Sequence, residues 1–302
     1  MSDAVAVVDC GTNTARLLIR RDGVDVLRRA EVTKLGRGVD RTGRLDPDGI
    51  AMALTILGDY RDRCVEEGVT ATRVLATSAA RDADNADELL GPIVELFGVE
   101  PEVLSGDDEA RLSFEGAIAG VGGSETTLVV DIGGGSTEFA VGAGHFEGGR
   151  SIDIGSRRLT ERYVEYDPPR PEELSAMLSV VEAFLDDVAI EVPLVGAAER
   201  LVGVAGTVTT MAAVEIGLLE WDRDRVHGFV LTREAAEDVF RTLATEALED
   251  RIHNPGLLPD RADVIVAGCC ILLGVMRKFG FDECVVSDAD LLDGAVAALE
   301  VT

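Results

Sequence analysis

The sequence predicts an α/β fold built as two domains of related topology, and three observations carry that prediction. Apolar runs of four to six residues alternate with longer stretches of helical period, the pattern of strands covered by helices. The 302 residues are about twice the roughly 150 of a single domain, and a 46% hydrophobic content is enough for two cores. One motif also occurs twice. VVDCGTNTARLLI (7–19) and VVDIGGGSTEFAV (129–141) align without a gap at an offset of 122 residues, from Asp9 to Asp131. Gly11 then matches Gly133, Thr14 matches Ser136 and Arg16 matches Glu138. Two copies of one strand–turn–strand unit suggest two domains facing each other, with the turns meeting across a cleft where small molecules commonly bind. The turn-rich GAIAGVGGSETT puts the boundary near residues 120–125, giving domains of 1–124 and 125–302.

The elements follow in order. VAVVD (5–9) reads as a strand running into the first turn. Residues 46–68 read as a helix: Asp46 caps it, Pro47 suits its first turn, Ile50, Leu54, Leu57, Arg61 and Cys64 fall near one face, and Gly68 ends it. TRVLATS (72–78) is strand-like. After the apparent strand EVLSG, Asp107, Asp108 and Glu109 open a helix, where carboxylates offset the helix dipole. TLVVD (127–131) is the strand of the second copy, YDPPRPEE (166–173) is a loop into a helix, and RLVGVAG (200–206) is a further strand with a Gly-rich end. The last helix, DLLDGAVAALE, is expected to pack back on the first domain.

Composition removes several function classes. A net charge of −28 argues against nucleic acid or an anionic membrane as partner, because both are bound through Lys and Arg. The longest apolar run, VIVAGCCILLGVM (264–276), is shorter than the ~20 residues of a membrane span, and the start lacks a basic leader, so a cytoplasmic protein is expected. Five cysteines without C-x-x-C spacing read as buried, reduced thiols. The charge is uneven. Residues 1–44 hold nine basic and six acidic side chains, a local balance of +3, which fits either a fluctuation on an acidic surface or a cationic patch that meets a small anion. His145, His227 and His253 are scattered and read as structural.

The repeated unit has a chemistry of its own. A strand delivers an aspartate to its tip, glycines let the chain fold back, and successive N–H groups then face a concavity that suits an anion such as a phosphate oxygen. The carboxylate beside it would repel bare phosphate. A divalent cation between the two, with Mg²⁺ the expected one, resolves that conflict.

These turns, together with GVAGTVTTMAA (203–213), resemble the two phosphate motifs and the further Gly-rich turn of the acetate kinase, sugar kinase, Hsp70 and actin superfamily. More narrowly, LGRGVDRTGRLDPDGI, ATSAARDADN, LSGDDEARLSFEGA, SIDIGSRRLTERY, NPGLLPDRADVIVAG and VSDADLLDGAV resemble the exopolyphosphatase and guanosine pentaphosphate phosphohydrolase family, nearly end to end and in order. The resemblance implies two ribonuclease H-like (actin-like ATPase) domains around an interdomain cleft. It implies hydrolysis of the terminal phosphate of inorganic polyphosphate, or of the 5′ γ-phosphate of pppGpp, with water and Mg²⁺ or another divalent cation. Glu109 stands at the family's catalytic glutamate, and a carboxylate in reach of water can take its proton as it attacks phosphorus. Asp131 and Glu138 are implied near the metal. Around phosphate the resemblance implies Gly11, Thr12, Asn13, Thr14 and Arg16, Gly133, Gly134, Gly135 and Ser136, Gly206 and Thr207, with Arg81 facing the substrate.

The departures from the family pattern are Asp108 for a glutamate, Thr12 and Thr14 for serines, and Ala205 for a glycine. Arg157, Arg158 and Arg162 fit either an anionic chain or a solvated helix face. The family's longer members carry a further C-terminal helical domain of the HD type; without one, short polyphosphate and low processivity are expected. The rivals are a pppGpp phosphohydrolase, a kinase of the same superfamily and a non-catalytic ppGpp-binding protein. A homodimer is compatible with the sequence, which does not set the oligomeric state.

Overall fold

Central strands buried on both faces, Ala4–Cys10 and Thr126–Ile132, organise the protein into two sheets, seen in a computed structural model that describes residues 3–300. The first sheet comprises β1 (Ala4–Cys10), β2 (Thr14–Arg21), β3 (Val24–Val32), β4 (Val69–Ala76) and β5 (Glu102–Val103), in the order β3-β2-β1-β4-β5. The second comprises β6 (Thr126–Ile132), β7 (Thr137–Ala143), β8 (Gly148–Ile152), β9 (Arg200–Val204), β10 (Val230–Thr232) and β11 (Glu283–Val286), in the order β10-β11-β9-β6-β7-β8. In each, a three-strand antiparallel meander is extended by parallel strands, β4 and β5 in one and β9 and β11 in the other. The sequence repeat is therefore a structural one. Asp9 lies opposite Arg16 across β1 and β2, and Asp131 lies opposite Glu138 across β6 and β7. The chain has the expected α/β class, with two halves of related topology.

Period-two alternation sends neighbouring residues of the central strands into different cores. On one face of β1, Ala4, Ala6 and Val8 pack with Leu57 and Tyr60 of helix Pro47–Glu66 and with Leu89 and Ile93 of helix Asp87–Phe97. On its other face, Val5 and Val7 meet Leu112 of helix Gly106–Val121 and Leu291, Leu292 and Val296 of helix Leu291–Glu300. In the second sheet, Leu128, Val130 and Ile132 enter a core shared with helices Pro171–Glu191, Ala205–Ile216 and Ile265–Phe279, while Val129 turns toward Ala110, Phe114 and Ala117. Helices Gly106–Val121 and Leu291–Glu300 thus lie between the sheets. They approach closely at two glycines: a Cβ on Gly116 would sit 1.9 Å from the Asp290 carbonyl oxygen, and one on Gly294 would sit 2.1 Å from that of Leu112.

Local signals in the sequence translate into these boundaries. Asp46 caps helix Pro47–Glu66 by accepting from the Asp48 N–H at 3.3 Å, and Gly68 follows with φ 64°. Ser105 caps helix Gly106–Val121. The boundary stretch at 120–125 contains Gly122 and Gly123, both at positive φ, between that helix and β6. The apolar run at 264–276 forms the buried helix Ile265–Phe279, no helix among the described residues is long and apolar enough to cross a membrane, and all five cysteines are free and buried. Strand-like TRVLATS stops at Ala76 and RLVGVAG at Val204, because both chains turn there into helices.

Candidate active site

Three turns converge on a solvent-open cleft of about 710 Å³ between the two sheets. The Gly11 N–H donates to the Thr14 carbonyl at 3.1 Å, and the Gly133 N–H donates to that of Ser136 at 3.1 Å, so the two repeat turns are built alike. They also touch. A Cβ on Gly134 would lie 3.1 Å from the Asn13 Cβ, and one on Gly135 would lie 2.5 Å from Ser78 Oγ and 2.8 Å from Thr12 Oγ1. Glycine is thus required at Gly135 by the facing half of the molecule as well as by any anion. The third turn, Ala205–Thr207, starts the 12-residue helix Ala205–Ile216, whose N-terminus no side chain caps, leaving its first N–H groups for an anion in the cleft.

Ala205 sits at φ 65°, a conformation that costs a non-glycine residue roughly 1–2 kcal/mol. Ala205→Gly relieves that cost and loses about 0.4–1 kcal/mol to a freer unfolded chain. The expected net gain, between about 0 and 1.6 kcal/mol, should appear as a higher urea midpoint; a lower midpoint would show that the turn is unstrained.

Carboxylates form the floor and the layer just behind it. Asp9 is buried; its Oδ2 accepts from Arg16 Nε at 2.8 Å, while its Oδ1 is buried with no partner. Asp131 accepts from Ser113 Oγ at 2.7 Å, and Glu138 from Ser151 Oγ at 2.7 Å. Glu109, on the first turn of helix Gly106–Val121, accepts from Arg81 Nη1 at 3.2 Å. Burial raises the pKa of all four. Repulsion raises Glu109 further through Asp131, and Glu138 through Glu109 and then Asp131. Burial works against the charged form of Arg16 too, but Asp290 and Asp9, which it contacts on either side, hold it protonated.

The residues present fit a divalent cation. The acids crowd one another, and one buried carboxylate oxygen is orphaned. No three His, Cys, Asp or Glu side chains among the described residues form a ready-made metal cage. Mg²⁺ is commonly held without one, by one or two carboxylates with waters and substrate phosphates.

Most of the residues implied by the sequence line this cleft: Gly11–Thr14, Arg16, Glu109, Asp131, Gly133–Ser136, Gly206 and Thr207. Glu138 and Arg81 do not. Glu138 is buried on the neighbouring strand, and Arg81 lies beyond Glu109, donating to the Leu104 carbonyl at 2.8 Å and facing a separate opening beside Arg150. None of the three histidines lines the cleft.

Arg261 escaped the sequence reading, whereas Arg157 and Arg158 were noticed without their partners. Arg261, inside the quoted NPGLLPDRAD, lies over the third turn, so that a Cβ on Gly206 would fall 1.5 Å from its Nη1. It has no carboxylate partner among the described residues, and burial, then Arg16, pushes its pKa down to about 10. Arg157 is buried and reaches across the cleft to Asn13 Oδ1, at 2.8 Å from Nε and 2.6 Å from Nη2. Arg158 likewise joins Gly135 to Asp40 and Asp82. Both arginines tie the halves together, and neither stands on the solvated helix face considered from the sequence.

The second repeat turn is braced from behind. The N–H groups of Ser156 and Arg157 donate to the Gly133 and Gly134 carbonyls, each at 2.9 Å, and a Cβ on Gly155 would lie 2.5 Å from the Gly134 carbonyl carbon. Backbone cannot yield as a side chain does. Gly155→Ala should displace the turn and lower kcat/KM by about a hundredfold, the scale expected for a misplacement near 1 Å; steady-state kinetics within threefold of wild type would show that the turn adapts.

Comparison with known proteins is consistent in one direction. A family model described as the Ppx/GppA phosphatase family matches residues 20–300. Exopolyphosphatase 2 of Mycobacterium tuberculosis is 36% identical over 98% of both chains. Among solved structures, an exopolyphosphatase-like protein superimposes with a TM-score of 0.94 at 34% identity over 98% of each chain. The Ppx/GppA family member of Aquifex aeolicus superimposes with a TM-score of 0.82 at 31% identity, over 100% of this chain and 98% of that one.

Proposed function

The chain belongs to the Ppx/GppA phosphatase family, and we propose that it is an exopolyphosphatase that releases the terminal phosphate of inorganic polyphosphate by attack of water, with Glu109 as general base. The observation that carries this reading is the placement of the Glu109 carboxylate in the same cleft as three turns of main-chain N–H groups. The turns at 11–14, 133–136 and 206–207 bind and orient the terminal phosphates. Arg16 and Arg261 face the same space, and the uncommitted guanidinium of Arg261 supplies positive charge to the chain.

Glu109 takes the proton of a water whose oxygen attacks the terminal phosphorus. The bridging P–O bond breaks, orthophosphate forms, and the shortened chain leaves as an anion. Arg81 positions the base from outside the cleft. Asp131 and Glu138, with the free oxygen of Asp9, would hold a divalent cation such as Mg²⁺, which when bound neutralises phosphate charge and relaxes the crowding of the acids. The nucleophile is water: nothing at the cleft reads as a site for an acceptor sugar.

The test is phosphate release from polyphosphate, pppGpp and ATP in the presence of Mg²⁺. Preferred turnover of polyphosphate is expected. Preferred turnover of pppGpp would move the assignment to the nucleotide, and binding without release would make the protein a sensor.

A further inference from the structure

The strongly acidic chain keeps one uncommitted cationic strip, beside the cleft. Residues 34–44 carry Lys34, Arg37, Arg41 and Arg44 against the single acid Asp40. Asp40 is occupied by Arg158 at 2.7 Å. The other cations near the N-terminus are mostly spent: Arg16 on Asp9 and Asp290, Arg20 and Arg28 on Asp25 and Asp293, Arg21 on the Glu67 carbonyl. Lys34 reaches only Asp263, at 3.9 Å, and Arg44 pairs with Glu88 where both are more than half exposed, a contact worth little in water. Arg37 and Arg41 are exposed and have no acidic partner among the described residues. With Arg44 they line a surface groove that also carries Asp46, which caps the following helix, Glu88, the partner of Arg44, and the Glu161 carboxylate. That carboxylate is already engaged by the Gly38 N–H at 2.9 Å and by Arg157 at 3.6 Å.

The strip is joined to the catalytic cleft through the backbone. The Gly36 N–H donates to the Thr12 carbonyl at 2.7 Å and the Lys34 N–H to that of Asn13 at 3.2 Å, so Arg37 is the first residue outside a segment bonded to the first phosphate turn. Arg41 lies one turn further, on the short helix Val39–Thr42. Exposed guanidiniums spaced along a surface attract a run of charges; they do not enclose a single phosphate.

We propose that Arg37 and Arg41, assisted by Lys34 and Arg44, bind the distal phosphates of a polyphosphate whose terminal phosphate is in the cleft. This subsite for chain length rests on the exopolyphosphatase reading. Contacts of this kind act on KM through charge and leave the chemical step alone.

The variants are Arg37→Ala/Arg41→Ala and the charge-reversed Arg37→Glu/Arg41→Glu, compared with wild type on tripolyphosphate and on chains of several tens of phosphates. For the long chains KM should rise roughly fivefold in the alanine variant and further in the glutamate variant, with kcat unchanged. The difference should shrink as salt screens it, and tripolyphosphate kinetics should stay at the wild-type values. Unchanged kinetics on long chains, or an equal loss on both lengths, would overturn the strip and leave the proposed hydrolysis intact. A wild-type protein that releases no phosphate from either length would overturn the hydrolysis reading, and the strip with it.

Discussion

Glu109→Gln should reduce phosphate release from polyphosphate by about 10²- to 10⁴-fold, the range associated with loss of a general base, while polyphosphate binding persists. The amide keeps the size and most of the shape of the side chain but cannot accept a proton from water. Binding survives because the turns and Arg261, the groups proposed to hold the phosphates, are untouched. The fold survives because Glu109 is one of several crowded, buried acids, and Arg81 retains the Leu104 carbonyl as a partner. Removing one acid from that group should leave the melting temperature equal to or above that of wild type.

Rapid-quench phosphate release and calorimetric titration with polyphosphate separate the two effects. A rate within tenfold of wild type would sink the assignment of the base. The sign of the pH dependence follows from the same crowding. Burial, and then Asp131, raise the Glu109 pKa, so the base form is lost as pH falls through that raised value. The pH–rate profile should therefore climb on a limb above the ordinary glutamate value of about 4.3, with an apparent pKa that belongs to the coupled carboxylates as a set.

Arg261→Met should move activity and stability in opposite directions. The guanidinium is half-buried at the cleft with no counter-ion of its own, and its pKa is pushed down to about 10 by burial and by Arg16. Methionine fills similar space without that charge, so the urea midpoint should rise, with a gain of less than about 1 kcal/mol because water at the cleft screens the unpaired charge. The same change removes a charged donor from the phosphates. A charge-assisted contact of about 1.5–3 kcal/mol corresponds to a loss in kcat/KM of roughly 10- to 100-fold. If stability and activity both fall, Arg261 is a structural residue and its phosphate role is excluded.

The parts of this architecture that were legible in the sequence are those written in a local pattern. The 122-residue repeat was visible because β1 and β6 are buried on both faces and read as continuous apolar runs ending in the same turn. Helix Pro47–Glu66 was visible because Asp46, Pro47 and Gly68 mark its ends. Arg261 was not legible, since its significance depends on lying over Gly206, in another segment of the chain. Arg157 and Arg158 looked like a helix's outer face because periodicity reports which side is polar and does not report that Asn13, Asp40 and Asp82 of the other half will close over it. The glycines at 134 and 135 suggested an anion; the approach of Thr12, Asn13 and Ser78 is a second reason for them that only the assembled halves reveal.

The position of helix Leu291–Glu300 also bears on how the protein folds. Its Leu291, Leu292 and Val296, with Leu112, cover the face of the first sheet that carries Val5 and Val7. About 285 residues separate the strand from the helix that seals it, so closing that surface is a long-range contact and the first lobe completes its packing only after the second has been threaded through.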